Sequence, residues 1–330
     1  MSDPFPAFVL TRHDRTGGPC ALTGSTTPAS PGAPRRALLI VNPKARNGGL
    51  DLAGIKDALG RGGIATVEPP EKADCADLIR AASDVDLVVL GGGDGTLNAA
   101  AQALAERKLP FGILPLGTAN DLARSLGLPL DPVAAAEVIA TEPARPIDLG
   151  CVNGHYFFNV ASVGFSADLA GELTADLKRH WGTVGYAVAA VRLLRRSRPF
   201  TVYIEHDGQI ETVRTIQVSV GNGRHYGGGM TVEENATVDD GLLNFYSLEV
   251  AHWWRLVALL PALRRGTQGQ AADVRAFKTT EVVLRTKKPR PVNTDGELTT
   301  YTPAHVKVVP QAVRVHAPEP VVRGRHALLP

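Results

Sequence analysis

Hydrophobic and polar positions fall into two rhythms along the 330-residue chain. In the first, short unbroken apolar runs alternate with helical stretches. Ala37-Leu38-Leu39-Ile40-Val41, bounded by Arg36 and by Asn42-Pro43, has the pattern of a buried parallel strand that stops at a turn. A helix is expected from about Leu50 to Leu59, ended by Gly60, Gly62 and Gly63; then a strand at Ile64 to Glu68, a helix at Cys75 to Ala82 and a strand at Asp86 to Leu90 that runs into Gly91-Gly92-Gly93. Leu97 to Arg107 reads as helix and Phe111 to Leu114 as a fourth strand. Such alternation predicts a parallel sheet covered on both faces.

After about Pro143 the rhythm shortens to period two, at Tyr156 to Val160, Thr201 to Glu205, Thr212 to Val220, Leu242 to Leu248, Glu281 to Arg285 and His305 to Val309. Helical stretches at Val184 to Arg196 and at Trp253 to Arg265, apart from Pro261, interrupt it. Many short strands with few helices predict an antiparallel, β-rich sandwich or barrel, the sandwich foremost. The expected fold is therefore α/β: a parallel-sheet domain over residues 35–145 and a β-rich domain over 146–317. The first 34 residues hold six of the 24 prolines and a Thr/Ser/Gly-rich stretch, so 1–34 reads as a flexible extension and 318–330 as a frayed tail.

Composition narrows the function classes. At 330 residues the chain exceeds what a single core fills, and 44% hydrophobic residues suffice for two. A net charge of +2 argues against wholesale nucleic-acid binding, which rests on a strongly basic face. Three cysteines without a CxxC pair indicate neither a disulfide framework nor a zinc site, and point to the reducing cytoplasm. With no run of about 18 apolar residues and no basic-then-apolar start, neither a transmembrane segment nor a secretion signal is expected. Membrane contact would be peripheral.

The chemistry is concentrated at strand ends. Gly91-Gly92-Gly93-Asp94-Gly95-Thr96-Leu97-Asn98 lies between a strand and a helix, where glycines let the backbone approach a phosphate chain and the helix start favours anionic oxygens. Asp94 adds a carboxylate where a nucleotide-bound magnesium would sit. A tight turn with a capping Asp is the bland alternative, and the segment is neither a GxxxxGK[ST] loop nor an in-frame GxGxxG. Gly117-Thr118-Ala119-Asn120-Asp121 follows the next strand, and Asn42-Pro43-Lys44-Ala45-Arg46-Asn47-Gly48-Gly49 follows the first. Three strand-end loops converge where open parallel sheets bind ligands. By themselves Asp239-Asp240-Gly241 and Asp295-Gly296-Glu297 read as turns, with Asp295 as turn former, and Cys151 as a buried small hydrophobe.

Taken in order, these segments, with Ile147-Asp148-Leu149-Gly150, Asn159 to Phe165 and Gly221-Asn222, resemble the diacylglycerol kinase catalytic-domain family and more distantly NAD kinases. The resemblance runs from about residue 38 to about 316. It implies a cleft between an ATP-binding domain and a β-rich domain. The positions matching ATP contacts are Asn42, Pro43, Lys44, Ala45, Arg46, Thr66, Gly92, Gly93, Asp94, Gly95, Thr96, Leu97, Asn98 and Thr118. Asp240 matches a magnesium-binding aspartate, assisted by the carbonyls of Thr237 and Leu242, with Asp148 in the linked acidic network. Glu297 matches the proton acceptor, and Asp94 is the second catalytic candidate. Lys44 to Gly48, where the family often has Ser-Gly, and Ala99, where it commonly has an acid, depart from the pattern. The implied activity is ATP- and Mg2+-dependent phosphorylation of a lipid hydroxyl, foremost diacylglycerol, at a membrane surface, in a protein compatible with a homodimer. A NAD-kinase-like enzyme and a non-catalytic nucleotide- or lipid-binding regulator are the rival readings.

Overall fold

The computed structural model describes residues 35–42, 50–69, 73–172, 198–223, 225–226, 230–231, 237–250 and 273–319. Its first half is β1 (Arg35–Val41), α1 (Leu52–Arg61), β2 (Ile64–Val67), α2 (Cys75–Ala81), β3 (Leu87–Gly92), α3 (Asp94–Arg107), β4 (Phe111–Pro115), α4 (Asp121–Ser125) and α5 (Pro132–Thr141). The four strands are parallel, in the order β2-β1-β3-β4. Alternate strand residues face opposite ways, and both faces are dry. Leu38, Ile40, Val88, Leu90, Phe111 and Ile113 pack with α2 and α3, whereas Ala37, Leu39, Leu87, Val89 and Leu114 pack with α1 and α5. That two-sided burial is why the strands read as unbroken apolar runs.

Asp51, Asp74 and Asp131 start α1, α2 and α5, their carboxylates accepting N–H groups that the first turn leaves open. Helix α3 begins at Asp94 rather than at the expected Leu97. Gly95 and Thr96 have poor helix propensity, which hides this first turn from a pattern reading.

The second half continues with β5 (Ala144–Val152), β6 (His155–Phe157), β7 (Val160–Gly164), α6 (Phe165–Glu172), β8 (Phe200–His206), β9 (Gln209–Thr215), β10 (Gln217–Gly221), β11 (His225–Tyr226), β12 (Met230–Thr231), β13 (Leu243–Leu248), β14 (Val274–Thr279), β15 (Glu281–Thr286), β16 (Pro291–Thr294), β17 (Glu297–Tyr301) and β18 (Ala304–His316). An antiparallel sheet of order β14-β13-β10-β7-β16-β17 packs Ala161, Val163, Val218, Val220, Leu243 and Phe245 against Val202, Ile204, Val282, Leu284 and Val306. This is the expected sandwich. The helical stretches expected at Val184 to Arg196 and Trp253 to Arg265 lie outside the described residues, as do 1–34 and most of 318–330.

One strand joins the two halves. β18 pairs antiparallel with β5 and β15, and Val315 pairs parallel with Phe111 of β4, so the first sheet continues as β4-β18-β15-β8-β9. Its pairing with β5 slips between Val309 and Val313, where Gln311 adopts a left-handed φ of 51°. The C-terminal strand thus fixes the sandwich to the β4 edge of the parallel sheet.

Candidate active site

The phosphate-side wall is made of backbone. Gly93 caps α3, and a Cβ on it would stand 2.9 Å from Gly117 Cα; a Cβ on Gly117 would stand 2.5 Å from Gly93 Cα. Two strand-end loops therefore cross backbone to backbone, an approach only glycine permits on both sides. Gly92 lies beneath Thr96, whose Oγ1 would be 2.4 Å from an added Cβ. Asn120, in the left-handed region at φ 52°, brackets Gly117: its Oδ1 accepts from Gly117 N and its Nδ2 donates to Gly117 O, both at 2.9 Å. Leu122 N donates to Asp94 Oδ1 at 3.2 Å, so this carboxylate also holds the start of α4.

Asn42 completes the wall. Its N donates to Gly91 O at 2.8 Å and its Nδ2 to Thr96 Oγ1 at 3.0 Å. The ends of β1, β3 and β4 converge as expected, with Gly95 and Thr118 exposed. Thr66 is half-buried on β2, opposite Ala37. Leu97 buries its side chain in the core. Pro43, Lys44, Ala45 and Arg46 lie outside the described residues.

The facing wall is a hairpin. Strands β16 and β17 are joined by Asp295-Gly296 at φ 50° and 99°, the left-handed pair of a two-residue turn, with Thr294 opposite Glu297. Asn98 Nδ2 donates to Thr294 O at 3.3 Å, across 196 residues of sequence, and seats the hairpin on α3. Glu297 opens β17 and is exposed.

Asp295 has more than a turn to form. Its Oδ2 accepts from Phe158 N at 2.7 Å and its Oδ1 from Asn159 N at 3.0 Å and Val160 N at 2.9 Å. The residue is half-buried with its peptide at the turn, yet desolvation of the carboxylate pushes its pKa up to about 6. The three N–H groups pull the other way and the nearby Asp94 charge adds to the rise. Carboxylates from the two halves thus come near one another. Sequence reasoning missed this role because Asp-Gly already has a sufficient reason to be at a turn.

A second acidic group lies by β13. Asp240 Oδ1 accepts from Leu242 N at 3.1 Å and its Oδ2 is 3.8 Å from Lys278 Nζ. Desolvation raises the Asp240 pKa, with Asp148 and Asp239 adding to it and the Leu242 N–H and Lys278 opposing. Asp148 is buried beneath this loop and spends both oxygens on backbone: Oδ2 accepts from Gly241 N at 2.7 Å and Oδ1 from Gln311 N at 2.8 Å. It supports the loop and fills the irregularity of β18. Among the described residues no three His, Cys, Asp or Glu gather as a metal cage. A hard cation at Asp240 would have one carboxylate, the Thr237 and Leu242 carbonyls and water, a donor set that suits magnesium. The desolvated Asp240 charge fits that demand. Cys151 is core, as expected.

Open parallel sheets bind ligands outside the carboxyl ends of their strands, and here the glycine loops at those ends face a carboxylate-bearing hairpin of the second domain. Residues 36–152 match the model of the diacylglycerol kinase catalytic domain, and residues 159–317 that of the YegS C-terminal NAD kinase beta sandwich-like domain. A Pseudomonas aeruginosa protein named probable lipid kinase YegS-like is 38% identical over 237 residues, 70% of this chain and 76% of that one. A Bacillus subtilis diacylglycerol kinase is 30% identical over 217 residues, 65% and 72% of the two chains. A solved diacylglycerol kinase from Bacillus anthracis superposes with a TM-score of 0.69 at 25% identity, over 87% of this chain and 97% of that one. The chain belongs to the diacylglycerol kinase catalytic-domain family, with a YegS-type C-terminal domain.

Proposed function

We infer that the protein is a lipid kinase that moves the γ-phosphoryl group of ATP to a lipid hydroxyl, with diacylglycerol, giving phosphatidic acid, as the foremost acceptor. The observation that carries this reading is the Asn98–Thr294 contact, which brings the glycine turn and the Glu297 hairpin together from distant parts of the chain. The names of the relatives supply the substrate class.

Phosphoryl transfer asks the protein mainly to position reactants and offset charge. The Gly92 to Thr96 turn, Asn42, Thr66 and Thr118 form the nucleotide side, with Lys44 and Arg46 as the cations for its phosphates. Magnesium bound with the nucleotide would neutralise phosphate charge, and Asp94 would orient it; Asp240, with the Thr237 and Leu242 carbonyls, would hold a second cation away from the transfer. The acceptor oxygen forms a bond to the γ-phosphorus as the bond to the bridging oxygen breaks and ADP leaves. Glu297, exposed at the start of β17, takes the hydroxyl proton as the general base. No helix among the described residues is long and apolar enough to cross a membrane; in this reading the lipid is taken up at the membrane surface.

The sandwich family is named for NAD kinase, so the test offers both acceptors. Labelled ATP with magnesium is given to the purified protein together with diacylglycerol, sphingosine, ceramide or phosphatidylglycerol micelles, or with NAD. Label in a lipid is expected. Label in NAD alone replaces this reading with a dinucleotide kinase, and label in none of the acceptors supports a binding regulator.

A further inference from the structure

We propose that Asp295 is the positioning residue for Glu297: its two carboxylate oxygens bind the N–H groups of Phe158, Asn159 and Val160 and so fix the turn that carries the proton acceptor. The proposal rests on the lipid-kinase reading and deepens its account of the acceptor site.

Turn chemistry does not account for a carboxylate here. Asn-Gly serves a left-handed two-residue turn at least as well as Asp-Gly, and an asparagine would bring no charge near Asp94. The charge instead supplies acceptors where the backbone leaves donors. Phe158 and Asn159 lie between β6 and β7, and these two N–H groups with that of Val160 converge on Asp295. The link runs both ways, since Asp295 N donates to Val160 O at 3.0 Å. On its other flank, Gly296 N donates to Asn293 Oδ1 at 2.8 Å and Asn98 Nδ2 holds Thr294 O. The turn is gripped from β7 by Asp295 and from α3 by Asn98, and Glu297 is the first residue beyond it. A general base must stand within hydrogen-bond reach of its proton, and small misplacement is costly.

Asparagine at 295 keeps the turn and one acceptor oxygen but turns an amide donor toward backbone donors. The test is a double-mutant cycle on full-length protein with wild type, Asp295→Asn, Glu297→Gln and the double variant, reading lipid phosphorylation, the KM for ATP and the melting temperature. Glu297→Gln is expected to lower turnover about 10²- to 10⁴-fold. Asp295→Asn should lower kcat about 10- to 100-fold, with the KM for ATP within about twofold and no matching fall in melting temperature. The double variant should be no slower than Glu297→Gln by more than about threefold, because both changes act on one step. Independent, multiplying losses would overturn the proposal, as would near wild-type turnover in Asp295→Asn beside an impaired Glu297→Gln. Full turnover in Glu297→Gln would instead remove the proton-acceptor assignment and this inference with it. If Asp295→Asn does not fold, Asp295→Glu, which keeps the charge but displaces the turn by a methylene, enters the same cycle with the same criteria.

Discussion

The two walls of the candidate site are built from opposite materials. On the parallel-sheet side the working surface is bare backbone: Gly93 and Gly117 leave each other no room for a Cβ, and the side chains around them, Asn42, Asn120 and Asp94, hold backbone or neighbouring hydroxyl rather than fill space. On the sandwich side the shape depends on carboxylates that bind backbone N–H groups, Asp295 at the start of β7 and Asp148 at the irregularity of β18. The first wall should be intolerant of added volume. The second should be intolerant of altered charge or hydrogen bonding while accepting changes of size nearby.

The sharpest way to break that contrast is Gly117→Ala. A methyl group there meets Gly93 Cα at 2.5 Å and Asn120 Oδ1 at 2.8 Å, and the first of these is backbone that cannot rotate away. Overpacking of this kind costs about 1–3 kcal/mol of stability, and the displaced turn should lose nucleotide affinity by about two orders of magnitude, as expected when preorganised phosphate contacts are shifted. Gly60→Ala, in α1 and away from the strand-end loops, is the control, because nothing stands within 4 Å of its added Cβ. Isothermal titration of both variants with the magnesium–ATP complex checks the pair. Equal affinities in the two would show that the Gly93–Gly117 crossing does not shape the site.

The same contrast explains what could be read from the chain. The strand-end loops were legible because each is a local signal, an apolar run followed by glycines, and the strands they follow were placed to within a few residues. The sandwich was legible as a class but less so in detail. Thr212 to Val220 is two strands, broken at Ile216, and β18 runs to His316, past a Pro310 that reads as a stop. Helix α5 escaped because Pro132 to Thr141 is apolar almost all round and shows no stripe, although Asp131-Pro132 is a good start signal. The partners of Asp295 lie at least 135 residues away, and no local pattern records such a bond.

A smaller effect is expected at the Asp240 loop, where the sandwich side would use a bound cation in addition to backbone N–H groups. Magnesium that binds only the folded form stabilises it by about 2.7 kcal/mol at a hundred times its Kd. Without nucleotide, magnesium should raise the melting temperature of the wild type by a few degrees and of Asp240→Ala by much less. An equal rise in both would move the cation elsewhere, and leave Lys278 as the cation that faces Asp240.

The smallest effect separates the charge of Asp295 from its hydrogen bonds. Its folded pKa, about 6, lies above the ordinary value of 3.8. Below pH 4 the group is protonated in both states and contributes nothing to the pH dependence. Between pH 4 and 6 the folded protein holds a proton that the unfolded chain releases, so the contribution turns unfavourable as pH rises and stays so above 6. The full difference corresponds to at most about 3 kcal/mol, an upper limit that relaxation and water will reduce. Asparagine has no charge to desolvate. The melting temperature of wild type relative to Asp295→Asn should therefore improve as pH falls from 7.5 to 5, by a few degrees at most, while groups common to both proteins cancel in the comparison. A difference that stays constant across this range would mean that the three N–H groups fully offset burial of the charge; the second wall would then be as free of electrostatic cost as the glycine wall that faces it.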